Sequence, residues 1–183
     1  MNITPEQAWT VLERADVVAS AEAVDAAVER VASEITRELA RELPLVLSVM
    51  RGSVVFAGQL LPQLRFPLDF DYLDVTRYGN TTAGGAITWH VTPGTAVAGR
   101  VVLVLDDILD EGHTLAAIRD KLLAAGARRF LSAVFADKAI GRDKPIRADY
   151  VGLTVPDRYV FGYGMDVKGA WRNLPAVYAL NES

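Results

Sequence analysis

The sequence predicts an α/β fold with a mainly parallel sheet flanked by helices. Two observations lead to this. Short apolar runs alternate with amphipathic helical segments along the chain. The most apolar run, Val101 to Leu105, has no polar face and suits a central strand covered by helices on both sides. With 183 residues, 51% of them hydrophobic, the chain can bury a substantial core. We expect one domain over 1–183, with a core at about 40–150 and a smaller C-terminal part at about 151–183 to which the N-terminus contributes.

The elements follow in order. Residues 5–14 form a short helix with Pro5 in its first turn. A longer helix spans about Ala21 to Arg41, because Val24, Val28, Val31, Ile35 and Leu39 recur at spacings of three and four; Ser20 is its N-cap, and Leu43-Pro44 stops it. Leu45 to Val49 is a buried strand, followed by Met50-Arg51-Gly52-Ser53 and a helix to about Leu64. From Pro67 to Tyr78, Leu68, Phe70, Tyr72, Leu73 and Val75 interleave with acids and threonine, which predicts a strand with one solvated face. Gly79 to Gly85 is read as a mobile loop, and Ala86 to Val91 as the return strand of a long hairpin. After Val101–Leu105, Thr114 opens a helix that Gly126 ends. Phe130–Phe135, Tyr150–Leu153 and Tyr159–Phe161 complete the strands. In such sheets ligands bind beyond the carboxyl ends of the strands, where loops 50–53, 106–114 and 137–144 emerge.

Composition narrows the chemistry. Nineteen basic against 23 acidic residues give a net charge of −4, which supports neither a nucleic-acid partner nor an anionic membrane surface. There are no cysteines and only two histidines, His90 and His113, so a metal here should be magnesium on oxygen ligands. No basic n-region precedes an apolar run, and no apolar run approaches a membrane span, so a cytoplasmic location is expected.

The most informative segment is Val101–Thr114. An apolar strand runs into Asp106, Asp107, Asp110 and Glu111, then Gly112-His113-Thr114 at a helix start. Backbone N–H groups of residues 111–114, with Gly112 permitting close approach, make an anion site. Carboxylates beside it can hold a pair of sugar hydroxyls. Together they describe a ribose phosphate pocket, although acidic caps on an ordinary strand-to-helix turn, or a phosphatase with an Asp nucleophile, would share part of the pattern.

Val102–Thr114, VLVLDDILDEGHT, resembles the signature by which type I phosphoribosyltransferases bind phosphoribosyl pyrophosphate (PRPP). Leu47–Phe56, Asp69–Gly79, Asp137-Lys138 and Asp149–Asn173 resemble, in order, the pyrophosphate loop, the strand entering the mobile catalytic loop, the purine-contacting lysine site and the purine-binding hood of the hypoxanthine-guanine branch. The resemblance implies transfer of the phosphoribosyl group from PRPP to hypoxanthine or guanine with magnesium. It implies that Asp106 and Asp107 hold the ribose hydroxyls and contribute to the metal site, and that Asp110 faces N7 of the purine as general acid or base. Glu111, Gly112, His113 and Thr114 would enclose the 5′-phosphate. Arg51, Gly52 and Arg172 would bind pyrophosphate, with a cis peptide bond between Met50 and Arg51. Lys138, Tyr159 and Val160 would bind the base, Asp166 the magnesium, and Arg77 and Tyr78 would act at the mobile loop.

Three positions depart from the family pattern: Glu111, Ser53 and Arg77. A carboxylate at 111 should turn outward, leaving only its N–H in the site. The resemblance also implies a homodimer or homotetramer, with the helix at 21–41 as an interface element. A PRPP-sensing regulator on the same fold and a xanthine-preferring enzyme are the alternatives.

Overall fold

The computed structural model describes residues 3–77 and 87–181. Its centre is a six-stranded sheet of order β4-β3-β2-β5-β6-β7. These strands are β2 (Leu45–Met50), β3 (Asp69–Arg77), β4 (Ile87–Val91), β5 (Val101–Leu109), β6 (Arg129–Ala139) and β7 (Tyr150–Pro156). All neighbours pair in parallel except β3 with β4, which form the expected antiparallel hairpin and lie at one edge of the sheet. A second sheet, β1-β9-β8, joins Asp16–Ala19, Val177–Ala179 and Val160–Phe161. The N-terminal segment therefore pairs with the C-terminal one.

The layers follow from strand alternation. Val46, Leu103, Leu105, Leu131, Ala133 and Phe135 face one side, under α2 (Ala21–Leu39) and α3 (Val54–Leu60). Leu45, Leu47, Leu73, Val102, Val104 and Val134 face the other, under α4 (His113–Ala124). α2 buries the predicted stripe of Val24, Val28, Val31, Ile35 and Leu39, and the Ser20 hydroxyl accepts from Ala23 N at its start. That stripe is consumed by the core, and the exposed face of α2 is mostly polar. The exposed apolar side chains include Phe70 and Tyr72 on β3 instead. Here the simple alternation fails: Leu73 and Val75 are buried on one parity, whereas Phe70 and Tyr72 point to the other.

Several boundaries move for local reasons. The predicted helix to Leu64 divides at Pro62, which has no N–H to donate; Leu61–Gln63 is a 3-10 turn. β5 and β6 run past their apolar stretches to Leu109 and Ala139, because the ladder between them continues through Ile108↔Ala136 and Leu109↔Asp137. Asp106, Asp107, Asp137 and Lys138 thus lie on strands, and the loops begin at 110 and 140. The helix after the acidic segment opens at His113, one residue before Thr114, with Gly112 at φ 82° as its cap. The predicted loop 79–85 lies outside the described residues.

Contacts between layers are polar as well as apolar. Arg30 on α2 donates to the carbonyls of Val151 (2.9 Å) and Gly152 (2.6 Å) on β7. Lys121 of α4 sits 3.8 Å over the Trp89 ring on the edge strand β4. Leu103, fully buried on the central strand β5, has no route to relax into. Leu103→Ala should cost roughly 3 kcal/mol and lower the melting temperature by about 6–12 °C, readable by thermal denaturation.

Candidate active site

The carboxyl ends of β2, β3 and β5 open into a cleft of about 530 Å³. Its walls include Arg51 and Gly52 after β2, Asp74 on β3, Asp106 to Thr114, and Asp166 with Arg172 from the segment after β8. Eleven residues predicted from the sequence thus meet in one place: Arg51, Gly52, Asp106, Asp107, Asp110, Glu111, Gly112, His113, Thr114, Asp166 and Arg172. Lys138 borders an adjoining recess and reaches the cleft through Asp110: its Nζ lies 2.7 Å from Asp110 Oδ2. Tyr159 is about half exposed and its hydroxyl donates to the Asp166 carbonyl at 3.1 Å. The Val160 side chain is buried in the core, so only its backbone can face a ligand. Arg77 closes β3, and Tyr78 lies outside the described residues.

The floor of the cleft is very tightly built. The Met50–Arg51 peptide bond is cis, as expected. A Cβ on Gly52 would fall 2.0 Å from Asp107 Oδ2, and one on Gly164 would fall 2.2 Å from the Gly52 carbonyl. Ser53, where the family pattern often has glycine, turns its hydroxyl inward to the Val49 carbonyl (2.6 Å) and Ser48 Oγ (2.6 Å). It leaves the cleft side to backbone.

Asp106 is buried and Asp107 half-buried beside it. Burial pushes the Asp106 carboxyl well above the ordinary aspartate range, and the neighbouring Asp107 charge adds to this. Burial also raises Asp107, against hydrogen bonds from Asp106 and Ile108 and the charge of Arg172. Two such carboxyls are suited to a cation or to hydroxyl donors that offset their desolvation.

The helix-start turn presents Gly112 in a left-handed conformation with no side-chain cap, so its backbone donors face the cleft. Asp110 pairs with Lys138 and not with the helix, which removes the capping reading. Glu111 does turn outward, to Arg142 at 2.6 Å. His113 is exposed. Asp166 and Arg172 pair at 2.5 Å, and Arg172 also donates to the Gly164 carbonyl at 2.6 Å. Trp171 packs edge-on against Trp9 and donates its indole N–H to Ala8 O (2.8 Å), so it is a packing residue.

The phosphoribosyl transferase domain model matches residues 15–168. The chain belongs to the phosphoribosyl transferase family. Within the family it is 34% identical over 165 residues to the hypoxanthine-guanine phosphoribosyltransferase of Bacillus subtilis (strain 168), covering 90% of this chain and 92% of that protein. It is 37% identical over 147 residues to the enzyme of that name from Lactococcus lactis subsp. lactis (strain IL1403), covering 80% of each. Among solved structures, a hypoxanthine phosphoribosyltransferase from Staphylococcus aureus superposes with a TM-score of 0.88 at 26% identity, over 94% of this chain and 95% of that one. A hypoxanthine-guanine-xanthine phosphoribosyltransferase gives 0.83 at 29% identity, over 91% and 97%.

Sequence reading missed three residues of the site. Asp74 gave no signal because it sat among alternating strand acids. Arg142 pairs with Glu111, 31 residues away, and Lys144 joins nearby Asp137 and Lys138 to Leu109, 35 residues away, so no local pattern marks either. Gly52→Ala should displace the Asp107 carboxylate or the 51–53 turn. We expect PRPP affinity to fall by about tenfold or more with the far-ultraviolet circular dichroism unchanged, measured by titration calorimetry.

Proposed function

We propose that the chain is a purine-salvage enzyme that transfers the 5-phosphoribosyl group from PRPP to N9 of hypoxanthine or guanine, releasing pyrophosphate. The observation that supports this most directly is the Asp110–Lys138 pair at 2.7 Å, set at the mouth of a cleft floored by Asp106 and Asp107. One group suits a purine ring nitrogen and the other its C6 oxygen, beside a floor suited to a ribose.

In the reaction the bond from C1′ to the pyrophosphate oxygen breaks, and N9 bonds to C1′. Asp106 and Asp107 fix the ribose hydroxyls, and residues 111–114 hold the 5′-phosphate on backbone donors. Arg51, Gly52 and Arg172 bind the departing pyrophosphate. Asp110, facing N7, accepts or returns the purine proton and stabilises positive charge developing on the ribose. Lys138 donates to the C6 oxygen, a bond that the amino group of adenine cannot accept. Tyr159 stacks on the base and Val160 offers backbone groups to its edge. By the family resemblance, Arg77 at the end of β3 and Tyr78 after it would help exclude water from the cleft, so that PRPP is not hydrolysed.

Magnesium fits the donor set. Asp106, Asp107 and Asp166 supply hard carboxylate oxygens, and among the described residues no group of three or more His, Cys, Asp or Glu is arranged as a metal cage. Such an ion would be held by one or two of these carboxylates and completed by substrate oxygens and water. When bound, it would neutralise charge on the pyrophosphate leaving group. No helix among the described residues is long and apolar enough to cross a membrane, and we place the enzyme in the cytoplasm. Assembly as a homodimer or homotetramer belongs to the same proposal, with exposed Phe70 and Tyr72 as apolar surface for contact.

The test is a spectrophotometric assay with magnesium and PRPP against hypoxanthine, guanine, xanthine and adenine. Hypoxanthine or guanine should yield nucleotide and adenine should not. Asp110→Asn should lower kcat by about 10²–10⁴-fold. Chelation of magnesium should abolish turnover and restored magnesium should return it. PRPP binding without turnover of any base would reject the reading.

A further inference from the structure

We propose that Lys144 is a positioning residue for purine recognition: one buried ammonium fixes the spacing between Asp110 and Lys138. The inference rests on the purine reading above and deepens it. Lys144 lies in the loop that leaves β6 and returns to β7. Its Nζ donates to the Leu109 carbonyl at 2.7 Å, to Asp137 Oδ1 at 2.5 Å and to the Lys138 carbonyl at 2.6 Å. An ammonium has three N–H donors, and each has an oxygen here.

These acceptors are placed where they matter. Leu109 is the last residue of β5 and directly precedes Asp110. Lys138 offers Lys144 its carbonyl while its side chain reaches Asp110. The β5–β6 ladder ends at Leu109↔Asp137, so Asp110 itself has no ladder partner. The sheet is already paired up to that point without Lys144. What the ammonium adds is a tie across the open end, where the two purine-facing side chains leave the sheet. The Lys144 stem also packs beneath the phosphate turn: a Cβ on Gly112 would stand 3.4 Å from Lys144 Cβ.

Burial sets this contact apart from its neighbours. The Lys144 side chain is 10% exposed, whereas Arg142 of the same loop and its partner Glu111, in the turn after β5, are 64% and 44% exposed. Exposed pairs contribute little, and removing one partner of a shielded pair leaves the other uncompensated. Asp110, 49% exposed, stays free to exchange its contact with Lys138 for a ligand. The outcome is a solvent-accessible recognition pair on a fixed base. N7 and the C6 oxygen lie on one side of a purine at a set distance, and Lys144 holds the two strand ends at the matching distance.

The experiment compares Lys144→Met with the parent in the full chain, measuring kcat and KM for hypoxanthine, guanine and PRPP, and turnover of adenine. The variant keeps the apolar stem and removes the ammonium. The expected result is a KM for the base raised by about tenfold or more, a narrowed preference for 6-oxopurines over adenine, and a KM for PRPP within about twofold of the parent. Asp137→Asn keeps an oxygen acceptor for Nζ and should give a smaller rise of the same kind. Should the methionine variant fail to fold, Lys144→Gln, which keeps a donor, is measured for the same split. A base KM unchanged in an active variant would overturn the inference. So would equal rises in the base and PRPP KM values with a lowered melting temperature, which mark a role in the fold alone. A parent that turns over no base overturns the purine reading and this inference with it.

Discussion

At Gly52 three segments of the chain meet with no space for a side chain. The Asp107 carboxylate from β5 lies against its α-carbon, and Gly164 crosses against its carbonyl. This contact fixes how the turn after β2, the end of β5 and the segment after β8 sit relative to one another. The geometry of the cleft depends on it. If the turn were displaced by the width of a methyl group, Arg51 and Arg172 would no longer face the same space as Asp106 and Asp107.

The sheet makes that contact possible and the acids make it costly. Parallel pairing of β2 with both β3 and β5 brings three strand ends to one edge. The extension of β5 beyond its apolar run carries Asp106 and Asp107 into a buried setting, where each carboxyl resists ionisation. A folded chain keeps such groups when a ligand offsets their desolvation. The cleft is therefore polarised before anything binds: raised acids on the floor, backbone donors at Gly112 on one wall, and the guanidinium of Arg172 on another. This arrangement suits a phosphorylated sugar carrying a second anionic group.

The smaller sheet has a complementary role. β1 pairs with β9, and Trp9 packs on Trp171 beside Arg172. The segment from residue 3 to residue 20 thus braces the one that supplies Asp166 and Arg172. The Asp166–Arg172 pair and the Arg172 bond to the Gly164 carbonyl bind that segment internally. Its position relative to the cleft comes from Gly164 against Gly52.

The sequence by itself determined the α/β class, the helix stripe on α2, the hairpin of β3 and β4 and the acidic turn, because each depends on residues within a few positions of one another. It also marked Asp106, Asp107, Asp110 and Gly112 as one site, since spacing alone places them on a strand end and a helix start. The tertiary structure decided the rest. The lengths of β5 and β6 came from pairing with each other, not from their own polarity. The burial of Leu73 in preference to Tyr72 came from the layer above the sheet. The outward turn of Glu111 needed Arg142, 31 residues away, and the clasp of Lys144 needed Leu109, 35 residues away. Contacts of that kind depend on where two distant strand ends finish, and no local pattern of side chains encodes that.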